Sequence, residues 1–411
     1  MLKKLWFRVM AVLIVAALLF NQCMQDEKKS SDLRGSGYAG AATCIRCHAD
    51  ISNSYAATAH ANSTSPATRE HIAGSFHKDS NHYQYNPHIK VAMEERNGRF
   101  FQAAFQDGVE KAAFPFDVVI GSGRKAQTYL YWYGANAFQL PVTYSVAAKA
   151  WVNSPNYPSD KVRFDRMIPV GCFECHSSFI ERTGIHEKNG YRVDDLNPAN
   201  MIYGIDCERC HGPAAEHVNY QAQHPNEKIA KYITSYQKIS NIQRLENCAA
   251  CHSGIHEPVK KSPFLFKPGE TLNDYFQPDT VKHIATELDV HGNQYQLLQA
   301  SKCFKGSLQE MSCSSCHNPH KQERNNLQVL SVKCMSCHAP NSKQFCSFAD
   351  KVGAAITTNC IDCHMPASPS KVITLQSEGQ KNPTPNLVRS HLIAIYPEVA
   401  KKQLSHLKLD K

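Results

Sequence analysis

The feature that most constrains this chain is a short pattern that occurs seven times: two cysteines three positions apart, followed directly by a histidine. Every CxxC pair in the sequence carries that histidine. Because histidine supplies only 21 of the 411 residues, seven coincidences would have a probability on the order of one in a billion. The copies, numbered here as motifs 1 to 7, are CIRCH at Cys44, CFECH at Cys172, CERCH at Cys207, CAACH at Cys248, CSSCH at Cys313, CMSCH at Cys334 and CIDCH at Cys360.

Two thiols at this spacing can bind a metal, close a redox disulfide, or form thioethers with the vinyl groups of haem. Structural zinc needs four ligands and gives no reason for the adjacent histidine, whereas a c-type haem uses that histidine as its proximal iron ligand. The sequence therefore predicts seven covalently bound c-type haems. The predicted thioether residues are Cys44, Cys47, Cys172, Cys175, Cys207, Cys210, Cys248, Cys251, Cys313, Cys316, Cys334, Cys337, Cys360 and Cys363. The predicted proximal ligands are His48, His176, His211, His252, His317, His338 and His364.

The N-terminus has the pattern of an export signal. Lys3, Lys4 and Arg8 precede a run of about eleven largely apolar residues, which is too short for a typical membrane span. We predict a signal peptide over residues 1–22 and an exported protein, periplasmic or associated with the outer membrane. Cys23 follows this run and is a candidate lipidation site; the preceding FNQ fits a lipobox poorly, so ordinary cleavage and an uncleaved anchor remain alternatives.

The formal charge of +9 at first favours a nucleic-acid partner. Removal of the signal peptide and addition of seven ferric haems, each with two propionates, bring the net charge to about −1. We therefore expect no nucleic-acid binding, and many lysines would instead offset propionates.

The motifs are unevenly spaced, which suggests how the chain is organised. Residues 83–147 contain no motif but have alternating and aromatic segments around an Asn97-Gly98 turn, which predicts a small antiparallel β insertion. The remainder has little periodicity, so we predict a mainly α fold with many loops, wrapped around the haems. The predicted divisions are a tether over 23–37, an N-terminal haem segment over 38–82, the insertion, a six-haem region over 148–390 and a tail over 391–411.

The sequence resembles a family of exported bacterial multihaem cytochromes c, the cytochrome c-552/4 type, related to the nitrifier tetrahaem cytochrome. The resemblance runs over roughly residues 38–390 and includes "CIRCHADISNSYAATAHA", "FQLPVTYSVAAKAW", "CERCHGPAAEHV" and "SKCFKGSLQEMSCSSCHNPH". It implies electron transfer among stacked haems. Many relatives carry a tetratricopeptide tail, which this sequence lacks, and the histidine-bearing segments of the family beside the last motif appear here as NSKQFCSFAD and ITLQSEGQKNPTPNL, without histidine.

The resemblance also ranks the candidates for the distal iron ligands. His60, His217 and His320 match family positions that look like axial ligands to a neighbouring haem, and His291 comes next. Context does not separate the weaker candidates, which are His77, His82, His88, His186, His256, His283 and His391. Met365 is disfavoured, because methionine more often fills gaps in apolar surroundings.

Three interpretations of function remain. An electron relay between redox partner proteins of the cell envelope, with a lipid anchor if Cys23 is modified, fits all seven motifs. A reductase of a small nitrogen or sulfur oxyanion would need one iron with an open position, which the two segments without histidine favour. A conductive filament subunit is the weakest interpretation. Cys303 and Cys346 lie outside the motifs and could pair in an oxidising compartment.

Overall fold

The fold is described from a computed structural model, which covers residues 32–409 apart from 189, 255–257, 279, 282 and 308–309. The predicted signal peptide, Cys23 and His256 lie outside the described residues. The strands are β1 Thr64–Pro66, β2 His82–Asn86, β3 Ile89–Arg96, β4 Arg99–Gln106, β5 Val109–Pro115, β6 Val118–Ile120, β7 Ala126–Tyr133, β8 Asn136–Gln139, β9 Val142–Ser145, β10 Ala150–Asn153, β11 Arg166–Ile168, β12 Phe179–Lys188, β13 Tyr191–Ile202, β14 Ala367–Leu375 and β15 Thr384–Arg389.

The helices are short. They are α1 Ala41–Cys44, α2 Ala49–Ala56, α3 Val170–His176, α4 Cys207–His211, α5 Ala215–Gln223, α6 Asn241–His252, α7 Gln294–Ala300, α8 Lys302–Gly306, α9 Leu327–Met335, α10 Ala349–Val352, α11 Ile361–His364 and α12 Pro397–Leu409. Single 3₁₀ turns occur at Pro263–Leu265, Leu272–Asp274, Cys313–Ser315 and Gly353–Thr357. No helix in the described part of the chain combines the length and apolar character that a membrane span requires.

The prediction of a mainly α fold is wrong. Helices account for about 26% and strands for about 27% of the part of the chain that the structure describes. The strands between His82 and Ser145 fall in the segment predicted to be β-rich, but two long hairpins, β12–β13 and β14–β15, lie among the haem motifs where short helices and loops were expected. Both hairpins contain register shifts, and their solvent-facing residues break the simple alternation by which a strand is recognised.

Two sheets form the β-rich part. The four strands β2 to β5 make an antiparallel meander, and β1, β6, β7, β8, β9, β10 and β11 make a second antiparallel sheet. The predicted Asn97-Gly98 turn is confirmed: both residues have positive φ, and Arg96 pairs with Arg99 across a two-residue hairpin. The buried Gln102 side chain joins the sheets, because its amide donates to the carbonyl of Val142 at 2.7 Å and accepts from the Val142 amide at 3.0 Å.

This β-rich part also supports the second motif. One core cluster fills the space between the sheets, with Tyr83 and Met93 from one and Tyr129 and Trp151 from the other. A second cluster lies on the other side and includes Phe173, which is the first residue between the two cysteines of motif 2. The core of the sheets is therefore continuous with the packing of a haem motif.

Candidate functional site

Each motif begins or ends a short helical turn. In motifs 1, 5, 6 and 7 the amide of the histidine donates to the carbonyl of the first cysteine at distances of 2.9 to 3.1 Å. Motifs 2, 3 and 4 lie within helices α3, α4 and α6. Because residues three and four positions apart share one side of a helical turn, this geometry brings both thiols and the imidazole of a motif to one side of the backbone.

The surroundings of the motifs fit a large apolar ligand. The cysteine side chains are free thiols in the described chain, as thioether formation would require. Ile45 inside motif 1 is 47% exposed, and Val332 just before motif 6 is 53% exposed. Ile51 and Val329 are also exposed beside these two motifs. Porphyrin rings attached at Cys44 and Cys334 would cover apolar surface of this kind.

Several motifs that are distant in sequence lie side by side, because the elements that carry them are in contact. Four pairs of thiols are near enough to shift each other's pKa: Cys44 with Cys207, Cys175 with Cys251, Cys248 with Cys313, and Cys334 with Cys360. Motif 1 thus lies against motif 3, motif 2 against motif 4, motif 4 against motif 5, and motif 6 against motif 7. The first of these contacts was not evident from the sequence, where motif 1 stands apart from the other six.

Hydrogen bonds also join motif 3 to motif 4. Tyr236 donates its hydroxyl to the carbonyl of Cys210 at 2.9 Å, and Asn247 of helix α6 donates to the same carbonyl at 3.3 Å. Burial raises the pKa of the Cys316 thiol, and Cys337 contributes in the same direction, so motif 6 lies near motif 5. The seven motifs therefore form one series of neighbours, with motif 2 as a branch at motif 4.

Buried charges inside motifs 2 and 3 fix their relative position. Arg209, between the cysteines of motif 3, donates to the carbonyl of Pro263 at 2.7 Å and to the carbonyl of Glu174 in motif 2 at 3.0 Å. The thiol of Cys251 in motif 4 donates to the same Glu174 carbonyl at 3.8 Å. A single backbone carbonyl of motif 2 thus contacts both motif 3 and motif 4.

The N-terminal segment is attached to motif 3 by a buried ion cluster. Arg34, whose side chain is 1% exposed, pairs with Asp32 at 2.9 Å, Asp206 at 2.6 Å and Glu208 at 3.2 Å. The Glu208 carboxylate also accepts from the amides of Ala39 and Gly40, both at 2.8 Å. These contacts position helix α1 and the first motif beside the third.

Three proximal histidines face a second imidazole. The ring centroids are 5.9 Å apart for His60 and His252, 5.9 Å for His211 and His320, and 6.1 Å for His317 and His391. Metal–imidazole bonds are about 2 Å long, and the centroid of an imidazole lies about 1 Å behind its ligating nitrogen, so two rings that share one metal ion would be about 6 Å apart. The three separations therefore match an iron bound between each pair.

A fourth pair is indicated by electrostatics. Burial lowers the pKa of His176, and the proximity of His291 lowers it further. Burial also lowers the pKa values of His252 and His391 to about 4, with contributions from neighbouring histidines. These rings are neutral at neutral pH, which is the form that binds a metal. Nδ1 of His391 is buried without a hydrogen-bond partner among the described residues. A buried polar atom of this kind is compatible with a site that also holds a cofactor.

The sequence ranking and the structure differ at two positions. The rings of His60 and His320 face proximal histidines, and so does the ring of His391, which was ranked among the weak candidates. His291 is near enough to His176 to lower the pKa of that ring. No local pattern distinguished His391, because its partner is brought to it only by the tertiary fold. His217 lies on helix α5 and donates through Nδ1 to the carbonyl of Lys231 at 2.8 Å, which would leave Nε2 free. Among the weak candidates, His88 and His186 pair with Asp107 and Asp195.

The last two proximal histidines are supported from behind. His338 Nδ1 contacts the carbonyl of Gln344 at 2.8 Å, and His364 Nδ1 contacts the carbonyl of Ala394 at 2.9 Å. Such a contact orients a ligating imidazole. Gln344 belongs to NSKQFCSFAD, so this segment lies behind the proximal ring rather than opposite it.

Cys303 and Cys346 lie beside different motifs. Burial raises the pKa of Cys303, and Cys337 of motif 6 contributes. The pKa of Cys363 in motif 7 is raised by burial and by Cys346. Both extra thiols are free in the structure.

Comparison with known proteins is consistent with this geometry. Residues 145–212, which include motifs 2 and 3, match the family described as cytochrome c554 and c-prime. The chain also resembles a solved structure, "Crystal Structure of Outer Cell Wall Cytochrome OcwA", with a TM-score of 0.50 and 18% identity over 89% of this chain and 81% of that chain. No curated protein matches the sequence. The structural likeness shows a shared fold, and the partial family match together with the motifs supports a multihaem c-type cytochrome.

Proposed function

We propose that this chain relays electrons through seven covalently attached haems as an exported protein of the cell envelope. The observation that carries the proposal is that each motif has another motif as a neighbour, in one series from motif 1 to motif 7. Each haem, when bound, supplies an iron that gains and loses one electron. The chain's contribution is to hold seven such groups next to one another.

The residues of the chain would do this in three ways. Thioether bonds from each cysteine pair prevent loss of the group, and the adjacent histidine fixes one axial position. The imidazoles of His60, His320, His291 and His391 would fill the opposite position at motifs 4, 3, 2 and 5. Ligation by two histidines favours a lower reduction potential than ligation by histidine and methionine, which suits a low-potential relay.

The count of covalent haems is the direct test. Protein matured in a host that attaches c-type haem should contain seven haems that survive acid–acetone extraction, and the intact mass should agree. A variant with Cys44→Ala and Cys47→Ala should contain six. The paired change Cys303→Ala and Cys346→Ala is the matched control and should leave the count at seven. Five or fewer haems in the unaltered protein would contradict the proposal.

Placement outside the cytoplasm is a separate part of the proposal. The predicted signal sequence and the requirements of haem attachment support it, and the structural relative is described as an outer cell wall cytochrome. Cys23 is the proposed site of lipidation. Mass spectrometry of the mature protein should find a diacylated or triacylated N-terminal Cys23, whereas any other mature N-terminus would remove the anchor while leaving the relay intact.

A reductase activity is the second candidate. The segment NSKQFCSFAD contains no histidine, and its Gln344 carbonyl contacts Nδ1 of His338, so we expect no axial ligand from this segment. A relay needs no vacant iron, but a reductase must bind its substrate there. Carbon monoxide binding to the reduced protein would favour an assay of nitrite, hydroxylamine and tetrathionate reduction. Absence of binding at every haem would exclude a standing open site and favour the relay.

A further inference from the structure

The loop over residues 289–294 carries His291 and lies against the segment that follows motif 4. His291 is close enough to His176 of motif 2 to lower the pKa of that ring, in addition to the effect of burial. Burial lowers the pKa of His252 in motif 4, and a side-chain interaction with Gln294 opposes this effect. Residues of one short loop therefore affect the pKa values of two motif histidines, His176 and His252.

The Asp289 carboxylate fastens this loop to the hairpin that follows motif 7. Its Oδ1 accepts hydrogen bonds from the backbone amide of His291 at 2.7 Å and from Ser370 Oγ at 2.9 Å. Its Oδ2 accepts from the backbone amide of Lys371. Ser370 and Lys371 belong to strand β14. Hydrogen bonds to an ionised carboxylate are roughly twice as strong as neutral ones. Asp289 therefore holds the 289–294 loop strongly against strand β14.

Neighbouring contacts leave the loop little freedom. Lys371 Nζ donates to the carbonyl of Glu287 at 3.0 Å, and Asn293 Nδ2 donates to the carbonyl of Asp289 at 3.0 Å. Gly254, two residues after His252, has a φ of +57°, and a Cβ there would lie 2.2 Å from Asn293 Oδ1. The loop thus lies directly on the segment that follows the motif 4 histidine.

We propose that Asp289 is a positioning residue that holds the 289–294 loop so that His291 can ligate a haem iron. The proposal rests on the proposed function, because His291 has an iron to bind only if the motifs carry haems. Asp289 itself touches no iron. It acts by fixing the main chain of His291 on one side and strand β14 on the other.

The test compares Asp289→Ala and Asp289→Asn with His291→Ala by electron paramagnetic resonance and optical spectra of the oxidised protein. His291→Ala should convert one low-spin iron to high-spin with the haem count unchanged. Asp289→Ala should give the same high-spin signal, and added imidazole should restore the low-spin spectrum in both variants. Asp289→Asn should give a smaller high-spin fraction, because the amide keeps one acceptor but presents a donor to the Lys371 amide. Asp107→Asn, which alters the exposed carboxylate paired with His88, is the matched control and should match the unaltered protein.

Distinct outcomes separate the two proposals. An unchanged spectrum for Asp289→Ala, or for His291→Ala, overturns the role of Asp289 while seven covalent haems still support the relay. If Asp289→Ala does not accumulate, Ser370→Ala removes a single donor to the carboxylate and should give the same high-spin signal in smaller proportion; an unaltered Ser370→Ala spectrum then counts against the proposal. Five or fewer haems in the unaltered protein defeats the proposed function instead.

Discussion

The ring of His60 lies 5.9 Å from the ring of His252, at an interplanar angle of 80°. The backbone around Gly204 holds His60 in this place. The amide of Ile205 donates to the His60 carbonyl at 2.9 Å, and the amide of Gly204 donates to Thr64 Oγ1 at 2.8 Å. A residue from the N-terminal haem segment is thereby fixed against the fourth motif.

Gly204→Ala should displace His60. Gly204 has a φ of +64°, and a Cβ there would lie 2.1 Å from the Ala61 carbonyl oxygen, so the His60 segment must move. We expect about 3 kcal/mol of destabilisation from backbone strain and the clash, with one iron becoming high-spin at an unchanged haem count. Denaturant unfolding and electron paramagnetic resonance measure the two effects.

Gly134→Ala is the matched control for that change. Gly134 has a φ of +60°, but a Cβ there meets no atom within 4 Å. Gly134→Ala should lower the free energy of unfolding by only about 1 kcal/mol, which is the cost of a left-handed backbone conformation for a residue with a Cβ. It should leave the spectrum unchanged. Equal behaviour of the two variants would refute the contact with Ala61 as the cause.

His391→Ala should convert the iron bound by His317 from low-spin to high-spin. The two rings are 6.1 Å apart, and the chain offers His391 a buried, neutral environment. The expected result is one new high-spin signal with seven covalent haems retained. His88→Ala, which removes an exposed histidine paired with Asp107, should change nothing; a low-spin spectrum that survives His391→Ala would show that another group ligates this iron.

His217→Ala tests whether His217 is a distal ligand, as the sequence predicts. The structure holds the His217 ring in a fixed orientation. The contact from Nδ1 to the carbonyl of Lys231 orients the imidazole and leaves Nε2 available, an arrangement that metal-ligating histidines commonly have. Conversion of one low-spin iron to high-spin is expected. His224, which follows the same helix and donates through Nδ1 to the carbonyl of Tyr220 at 2.9 Å, provides the control: His224→Ala should leave the spectrum unchanged. Identical spectra for His217→Ala and the unaltered protein would remove His217 from the ligands.

Local and non-local features differ in how far the sequence predicts them. The CxxCH motifs need only a helical turn, so their thiols and proximal imidazoles follow from spacing alone. The partner of His317 depends on where the chain returns after motif 7, and no spacing rule connects it to His391. The hairpin β12–β13 was missed for a related reason, because its many exposed polar residues gave no clear alternation and its pairing is recognised only in three dimensions.

Arg34→Met should loosen the N-terminal segment. It removes the cation shared by Asp32, Asp206 and Glu208 and leaves buried carboxylates unpaired, which costs about 3 to 5 kcal/mol. Hydrogen exchange of residues 32–56 should become faster than in the rest of the chain. Arg163→Met, which breaks the exposed pair with Asp165, should cost about 0 to 1 kcal/mol and leave this exchange unchanged.

The same ion cluster has a defined pH dependence. Burial favours the protonated form of Asp32, but hydrogen bonds from Arg34 prevail and hold the pKa of this carboxyl below its usual range. The stabilisation is therefore complete above the pKa of the unfolded chain and is lost as the pH falls through the lower folded value. Exchange of residues 32–56 should rise only at strongly acid pH in the unaltered protein, and Arg34→Met should shift that rise to higher pH.

The paired imidazoles would also cross-link distant parts of the chain. A haem that is attached covalently at one motif and whose iron is ligated by a distant histidine would close a loop, as a disulfide does, and lower the entropy of the unfolded chain. The proposed loops would join His60 to His252, His176 to His291, His211 to His320 and His317 to His391, and they would overlap. Every peptide bond between residues 60 and 391 would then lie inside at least one loop. A protease that cuts there would leave fragments that stay together until a strong competing ligand, such as cyanide, displaces the histidines.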